Sequence, residues 1–167
     1  PNAASEIAAI TCEVVLNGIT GSIGLGPTLA ALEVGNKLAL ANKESLVAAG
    51  ELVMSKAAEN QLIPVDSEHS AIWQSAMAGK KSQIAKLVLT ASGGPFRNRR
   101  DLSDVTIAEA LAHPTWEMGQ VVTINSATLM NKSLEIIEAH YLFGMPYRQI
   151  EAVIHPQSIV HSMVEYV

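Results

Sequence analysis

The chain has 167 residues, 49% of them hydrophobic and only 16% charged, which is enough apolar material for a substantial core and excludes a disordered segment. Eleven basic against sixteen acidic residues leave a net charge of -5, and no Lys/Arg run exceeds two positions, so nucleic acid is not an expected partner. The single cysteine, Cys12, excludes an internal disulfide and a cysteine-rich metal site, and no apolar run reaches the ~18 residues of a membrane span.

In chain order, Glu13 to Leu16 predicts a strand, followed by a glycine-rich turn and a helix over Leu25 to Val34 that Gly35 ends. Leu38 to Ala41 predicts a second strand running into a helix that ends near Asn60, and Gln61 to Val65 a third strand. Asp66 or Ser67 is the expected N-cap of the next helix. Ile84 to Leu89 reads as an apolar strand leading into Ser92-Gly93-Gly94, and Arg97 to Asp104 as a polar loop. Thr106-x-x-Glu109 is a capping box for a short helix broken by His113-Pro114, with a second loop over Thr115 to Gly119. Val121 to Ile124 reads as a strand, and Leu129 to Phe143 as a helix whose apolar face carries Leu134, Ile137 and Tyr141. Ala152 to Ile154 and Ile159 to Val167 read as late strands. This alternation predicts an α/β fold.

Four of the predicted strands end at polar clusters: Asn42-Lys43-Glu44, Asp66-Ser67-Glu68-His69, Ser92-Gly93-Gly94 and Asn125-Ser126. Ligands of open α/β sheets bind at the carboxyl ends of strands, so the four clusters are expected to converge on one pocket. Asp66 and Glu68, two apart, could face one hard cation such as Mg²⁺ or Mn²⁺, or could cap a helix and complement its dipole. Asn131 and Glu135 share a helix face, which reads either as pocket-facing or as a solvated stripe. Lys43 and Lys132, with Ser92 and Ser126, could neutralise and hydrogen-bond a phosphate; singly, each is an ordinary surface residue. His69 is expected to be hydrogen-bonded or solvent-facing rather than a ligand. Gly18-x-x-Gly21-x-x-Gly24 departs from the dinucleotide fingerprint, and Glu33 comes too early for its acidic partner. Close strand-helix packing explains those glycines equally well.

Leu40-Ala41-Asn42-Lys43-Glu44-Ser45, Pro64-Val65-Asp66-Ser67-Glu68-His69, Ser92-Gly93-Gly94-Pro95-Phe96, His113-Pro114-x-Trp116-x-Met118-Gly119, Asn125 to Lys132 and Ile154 to Met163, in this order, resemble the 1-deoxy-D-xylulose 5-phosphate reductoisomerase family over essentially the whole chain. The resemblance implies an NADPH-dependent and divalent-metal-dependent enzyme (Mn²⁺, Mg²⁺ or Co²⁺) that isomerises and reduces 1-deoxy-D-xylulose 5-phosphate to 2-C-methyl-D-erythritol 4-phosphate in non-mevalonate isoprenoid biosynthesis. It implies Asp66, Glu68 and Glu135 as metal ligands; Ser92, Ser126, Asn131 and Lys132 as phosphate contacts; and Lys43, Ser67, Glu68, His113 and Glu135 at the rest of the substrate. Lys43, Glu68 and His113 carry the chemistry, Asn42, Glu44 and Gly119 contact the cofactor, and the loop around His113, Trp116 and Met118 resembles a lid. Ser133 departs from the glycine usual in the family after the Asn-Lys pair.

The implied organisation is the end of a Rossmann-like NADPH domain over residues 1–48 and an incomplete α/β catalytic domain over 49–167. The start at Pro1 and the end within a predicted strand suggest an internal fragment, from a bacterial cytoplasmic or plastid stromal enzyme that is a homodimer at full length. Two rival readings are a catalytically silent fragment with only weak metal and phosphate binding, and a generic dinucleotide module resting on Gly18, Gly21 and Gly24. A plain cofactor module has no use for a carboxylate trio beside two serines.

Overall fold

The computed structural model describes residues 2–167. Strands β1 (Val14–Asn17), β2 (Lys37–Leu40) and β3 (Leu62–Pro64) form a parallel sheet in that order. The flanking helices are α1 (Ala3–Ala8), α2 (Leu25–Glu33) and α3 (Lys43–Lys56). A second sheet has β4 (Ile84–Ala91) at its centre, parallel to β5 (Ile150–Ile154) and antiparallel to β6 (Ser162–Tyr166). The helices α4 (Ser67–Ala76), α5 (Ile107–Leu111), α6 (Gln120–Ala127) and α7 (Met130–Phe143) complete the chain. This is the expected α/β class, divided between two sheets.

Each sheet has its own core. Leu38 and Leu40 of β2 bury against Leu32, Leu46 and Val53 of α2 and α3, while Leu87 and Leu89 of β4 bury against Ile72, Ala139 and Ile150. Helices α3 and α7 pack on one another and join the halves. Gly35, at φ +81, ends α2 because only glycine takes this left-handed turn without strain. The Gly35 and Asn36 amides donate to the Leu32 and Ala31 carbonyls, closing the helix end. Asn42 caps α3 by accepting from the Ser45 amide at 3.0 Å.

Several expectations are corrected. Val121 to Ile124 is helical, inside α6. Its β-branched run favours strand locally, but Val121 and Ile124 stand three apart and share an apolar surface hollow with Ile107 and Leu111, which a helix satisfies and a strand would not. Asn125 and Ser126 therefore lie at the end of a helix, and the polar clusters at strand exits number three. Residues 159–161 precede β6 instead of belonging to it, and α3 ends at Lys56, short of Asn60. Asp66 occupies the N-cap position of α4 without a side-chain cap bond, because its carboxylate faces Lys43. His69 is fully buried, so of its two expected states the hydrogen-bonded one holds, Nε2 lying 2.9 Å from the Glu135 carbonyl oxygen. On α7 the fully buried positions are Lys132, Glu135, Glu138 and Ala139, whereas Leu134, Ile137 and Tyr141 are only half-buried. The helix turns a polar face inward.

Among the described residues no helix is long and apolar enough to cross a membrane. The α3-α7 contact depends on Gly50, where an added Cβ would lie 2.3 Å from the Tyr141 ring. Gly50→Ala is expected to destabilise the fold by about 1–3 kcal/mol through overpacking, read as a lowered Tm, and Tyr141→Leu is expected to recover part of the loss.

Candidate active site

Strands β2 and β3 are neighbours in register, with Leu40 opposite Pro64, so the chain leaves both at the same sheet edge. Lys43 opens α3 and Asp66 stands just before α4, and the Lys43 Nζ lies 2.5 Å from Asp66 Oδ2. The first turns of α7 close over this point. Lys43 Nζ donates to Glu135 Oε1 and to Asn131 Oδ1, each at 3.2 Å. Lys132 Nζ donates to Glu68 Oε1 at 3.0 Å and makes a close contact with Glu135 Oε2. The Asn131 amide also donates to Glu135 Oε1, and Ser67 Oγ donates to Glu68 Oε2 at 2.7 Å. Asp66, Glu68 and Glu135 each bring a carboxylate oxygen to within 4.8 Å of the others.

Three carboxylates and two ammonium groups thus share a space largely removed from water. Burial opposes the charge on Lys43, but Glu135 and Asp66 outweigh it and raise its pKa well above the ordinary lysine value. Burial likewise opposes ionisation of Asp66, and the Lys43 charge overcomes it, so the carboxyl is held below its usual range. Glu135 goes the other way: burial pushes its pKa up against the pull of Lys132 and Lys43. The donor set fits a hard divalent cation, being all carboxylate oxygen. Asp66 Oδ2 is buried, with the Lys43 ammonium as its close partner.

A cavity of about 330 Å³ opens beside the carboxylates. Its lining joins Asp66, Ser67, Glu68 and Lys132 to Ser92 and Gly93 at the exit of β4, and to Ser126 at the end of α6. Gly93 and Gly94 have φ of +86 and +66, and an added Cβ on Gly94 would meet the Ser126 carbonyl oxygen at 2.6 Å. That close approach sets the two serines on one wall. Leu129, at φ +60, turns the chain from α6 into α7, a conformation that costs a non-glycine residue on the order of 1–3 kcal/mol and aims Asn131, Lys132 and Glu135 at β3.

Not every residue singled out in the sequence meets at one point. His113 stands beside the cavity, with Nε2 3.0 Å from Ser92 Oγ. Asn131 is engaged with Lys43 and Glu135 rather than lining the cavity. Asn42 is buried, its amide donating to the Ile19 and Gly21 carbonyls and to Glu44. Gly24 needs to be small, since an added Cβ would fall 2.6 Å from the Asn42 side chain, in line with the packing reading of those glycines. Gly119, exposed at the start of α6, follows Met118 at the cavity rim. Ser133 is exposed on the outer side of α7.

Sequence reasoning passed over Thr90, Ser158 and His161, which also line the cavity. Thr90 Oγ1 donates to the Val160 and His161 carbonyls at 2.7 and 2.9 Å, and the His161 ring lies 6.2 Å from that of Trp116. The only signal was a polar His-Ser pair interrupting an apolar stretch.

His113 Nδ1 accepts from the Thr115 and Trp116 amides at 3.2 and 2.9 Å, so the ring hydrogen sits on Nε2 and is donated to Ser92. Burial, then the Arg97 charge, lower the His113 pKa below its ordinary 6.5. A depressed histidine contributes stability that is complete above the unfolded value and is lost as pH falls through it toward the lowered one. NMR titration of His113 is expected to give a midpoint below 6.5, with Trp116 fluorescence changing in the same window as the loop loses its acceptor. A midpoint above that value would contradict the bonding described.

The comparisons with known proteins place the chain in a family. The family model described as 1-deoxy-D-xylulose 5-phosphate reductoisomerase matches residues 1–50, and that of the C-terminal domain of the same enzyme matches residues 62–143. The chain is 63% identical to the reductoisomerase of Streptomyces coelicolor over 99% of its own length and 40% of the relative's. For that of Leifsonia xyli the values are 66%, 96% and 45%. Among solved structures, a reductoisomerase complex with NADPH, fosmidomycin and magnesium superposes with a TM-score of 0.90 at 45% identity, over 98% of this chain and 44% of the other. The Zymomonas mobilis enzyme with NADPH also reaches 0.90, at 44% identity, over 99% of this chain and 44% of the other. The chain spans less than half the length of these relatives, and it belongs to the 1-deoxy-D-xylulose 5-phosphate reductoisomerase family.

Proposed function

We propose that the protein, at the full length of its relatives, converts 1-deoxy-D-xylulose 5-phosphate to 2-C-methyl-D-erythritol 4-phosphate with NADPH and a divalent cation. The observation that carries this reading is the meeting of Asp66, Glu68 and Glu135 beside a cavity whose walls bring Ser92, Ser126 and Lys132. Solved relatives hold NADPH, magnesium and fosmidomycin, as their names state. The cation bound by the three carboxylates supplies Lewis acidity toward a carbonyl oxygen, and NADPH supplies the hydride. The trio takes Mg²⁺, Mn²⁺ or Co²⁺.

The chain's own residues do the rest. Three carboxylates against two ammonium groups leave a local excess of one negative charge; a divalent cation reverses it, matching an anionic substrate. Ser92, Ser126 and Lys132, which line the cavity, bind the phosphate, since a dianion needs several donors and a positive charge together, and Asn131 supports them from behind through Lys43 and Glu135. Lys43 stays protonated beside Glu135 and Asp66, so its Nζ is a donor to an oxygen gaining charge, and Glu68, with Ser67, accepts from a substrate hydroxyl. Neutral His113 holds Ser92 in place and reports closure of the Trp116-Met118 loop, which excludes water from the reacting atoms.

Glu44 and Gly119 contact the cofactor, and the buried Asn42 serves it by holding Glu44 and the Ile19-Gly21 turn in place. The NADPH part extends past the expected boundary at residue 48, because β3 pairs with β2 and Val53 of α3 lies in the same core; the division falls after Pro64, with the catalytic part following it. The full-length enzyme is a homodimer working in the cytoplasm of a bacterium.

Asp66→Asn in the full-length protein is expected to lower kcat/KM by about a hundredfold, equivalent to about 2.7 kcal/mol, with weaker cation binding; unchanged activity would end the metal assignment. Lys132→Ala is expected to weaken substrate binding by about 1.5–3 kcal/mol, the range for a hydrogen bond to a charged group, while leaving NADPH affinity intact. Equal losses for both ligands would make Lys132 structural. The 167-residue stretch alone is expected to bind cation and phosphate weakly without turnover, because the relatives that hold NADPH are about twice its length. Metal-dependent NADPH oxidation by that stretch would overturn this expectation.

A further inference from the structure

Behind the carboxylate trio lies a polar pair that the proposed chemistry does not use. His69, one residue beyond Glu68, and Glu138, one turn beyond Glu135, are both fully buried. His69 Nε2 lies 2.9 Å from the Glu135 carbonyl oxygen, and because a carbonyl only accepts, that nitrogen carries the ring hydrogen. Nδ1 therefore turns a lone pair toward Glu138, whose Oε2 is 3.5 Å away. Neither His69 Nδ1 nor either Glu138 carboxyl oxygen has a hydrogen-bond partner. On one side of the pair the Phe143 ring lies parallel to His69 at 6.4 Å, in one buried cluster with Ile72 and Ala139, and on the other stands Asp66. Buried polar atoms are normally satisfied, so three orphans facing one another need a reason.

We propose that Glu138 is a positioning residue: through His69 it pins α7 to α4 and fixes the height at which the Glu135 carboxylate meets Asp66 and Glu68. The linkage is continuous. Glu138 faces His69 Nδ1, His69 Nε2 holds the backbone of Glu135, and Glu135 carries the carboxylate that closes the trio. A hydrogen shared between Nδ1 and Oε2 partners two of the three orphaned atoms, and partners of this kind behind metal-binding residues set the orientation of the ligands in front. Asp66, His69 and Glu138 also approach one another within 4.8 Å, but neither His69 nor Glu138 lines any of the cavities described. The pair fits a pin better than a second cation.

The inference rests on the cation reading above, and Mn²⁺ affinity of the full-length protein, followed by electron paramagnetic resonance, separates the two. Glu138→Met, which removes the partner while keeping the volume, is expected to weaken Mn²⁺ binding by about 10–100-fold without lowering Tm or NADPH affinity. Glu138→Gln, whose amide donates to His69 Nδ1, is expected to stay within about threefold of wild type. Should the methionine variant not fold, His69→Asn carries the test: its amide reaches the position of Nδ1 but not the Glu135 carbonyl, and it is expected to weaken Mn²⁺ binding about tenfold. Wild-type Mn²⁺ affinity in Glu138→Met or in His69→Asn overturns the pin. A loss in Glu138→Gln equal to that in Glu138→Met, or two Mn²⁺ bound per chain, overturns it in favour of a carboxylate that ligates. Wild-type protein that binds no Mn²⁺, or Asp66→Asn that binds it normally, defeats the cation reading itself.

Discussion

Burial of three carboxylates against two ammonium groups is the constraint on which the arrangement of helices depends. Moving one such charge out of water costs several kcal/mol, and here the cost is offset only because Lys43 reaches Asp66 and Glu135 while Lys132 reaches Glu68 and Glu135. Removing either ammonium group would leave a carboxylate buried and unpaired. The positions of α3, α4 and α7 are accordingly set by polar contacts at their first turns as much as by apolar packing further along. This explains why the inward face of α7 carries Lys132, Glu135 and Glu138, where an ordinary packed helix would carry leucine or isoleucine.

The two sheets contribute different halves of the site. From the parallel sheet come the charges: adjacent strands in register release Lys43 and Asp66 at one edge. From the exit of β4 come neutral donors on a glycine turn, with Ser92 held by His113 and Gly94 backed onto Ser126. The contact of α3 with α7 holds these halves together, and Gly50 against Tyr141 is its tightest point. Chemistry that needs a cation and a phosphate held at a fixed separation is well served by two rigid sheets with one shared cavity.

Much of this was legible in the residues. The strands β1 to β4, the helix end at Gly35, and the capping box at Thr106 and Glu109 follow from local rules, because each is settled by contacts within a few residues. The D-x-E pair, the two lysines and the two serines stood out by type and by their place after strands or near a helix start. What spacing left open was whether Asp66 caps α4 or faces a cation, and whether Asn131 and Glu135 face solvent.

Those alternatives were decided by partners remote in sequence. Asp66 gives up its cap because Lys43 arrives from another strand, and Glu135 is buried because α7 lies across α3. Tertiary contact with α5 likewise made Val121 to Ile124 a helix against their strand propensity. Glu138 carried no local signal, and His69 and His161 only a weak one, since the role of each depends on an atom that only folding brings near. Local order and the kinds of chemistry available were determined by the sequence by itself, through short-range sterics and residue type. Which charges are paired, which are buried, and which side of each helix faces the site were decided only by the tertiary structure, because those energies depend on distance and exclusion of water rather than on position in the chain.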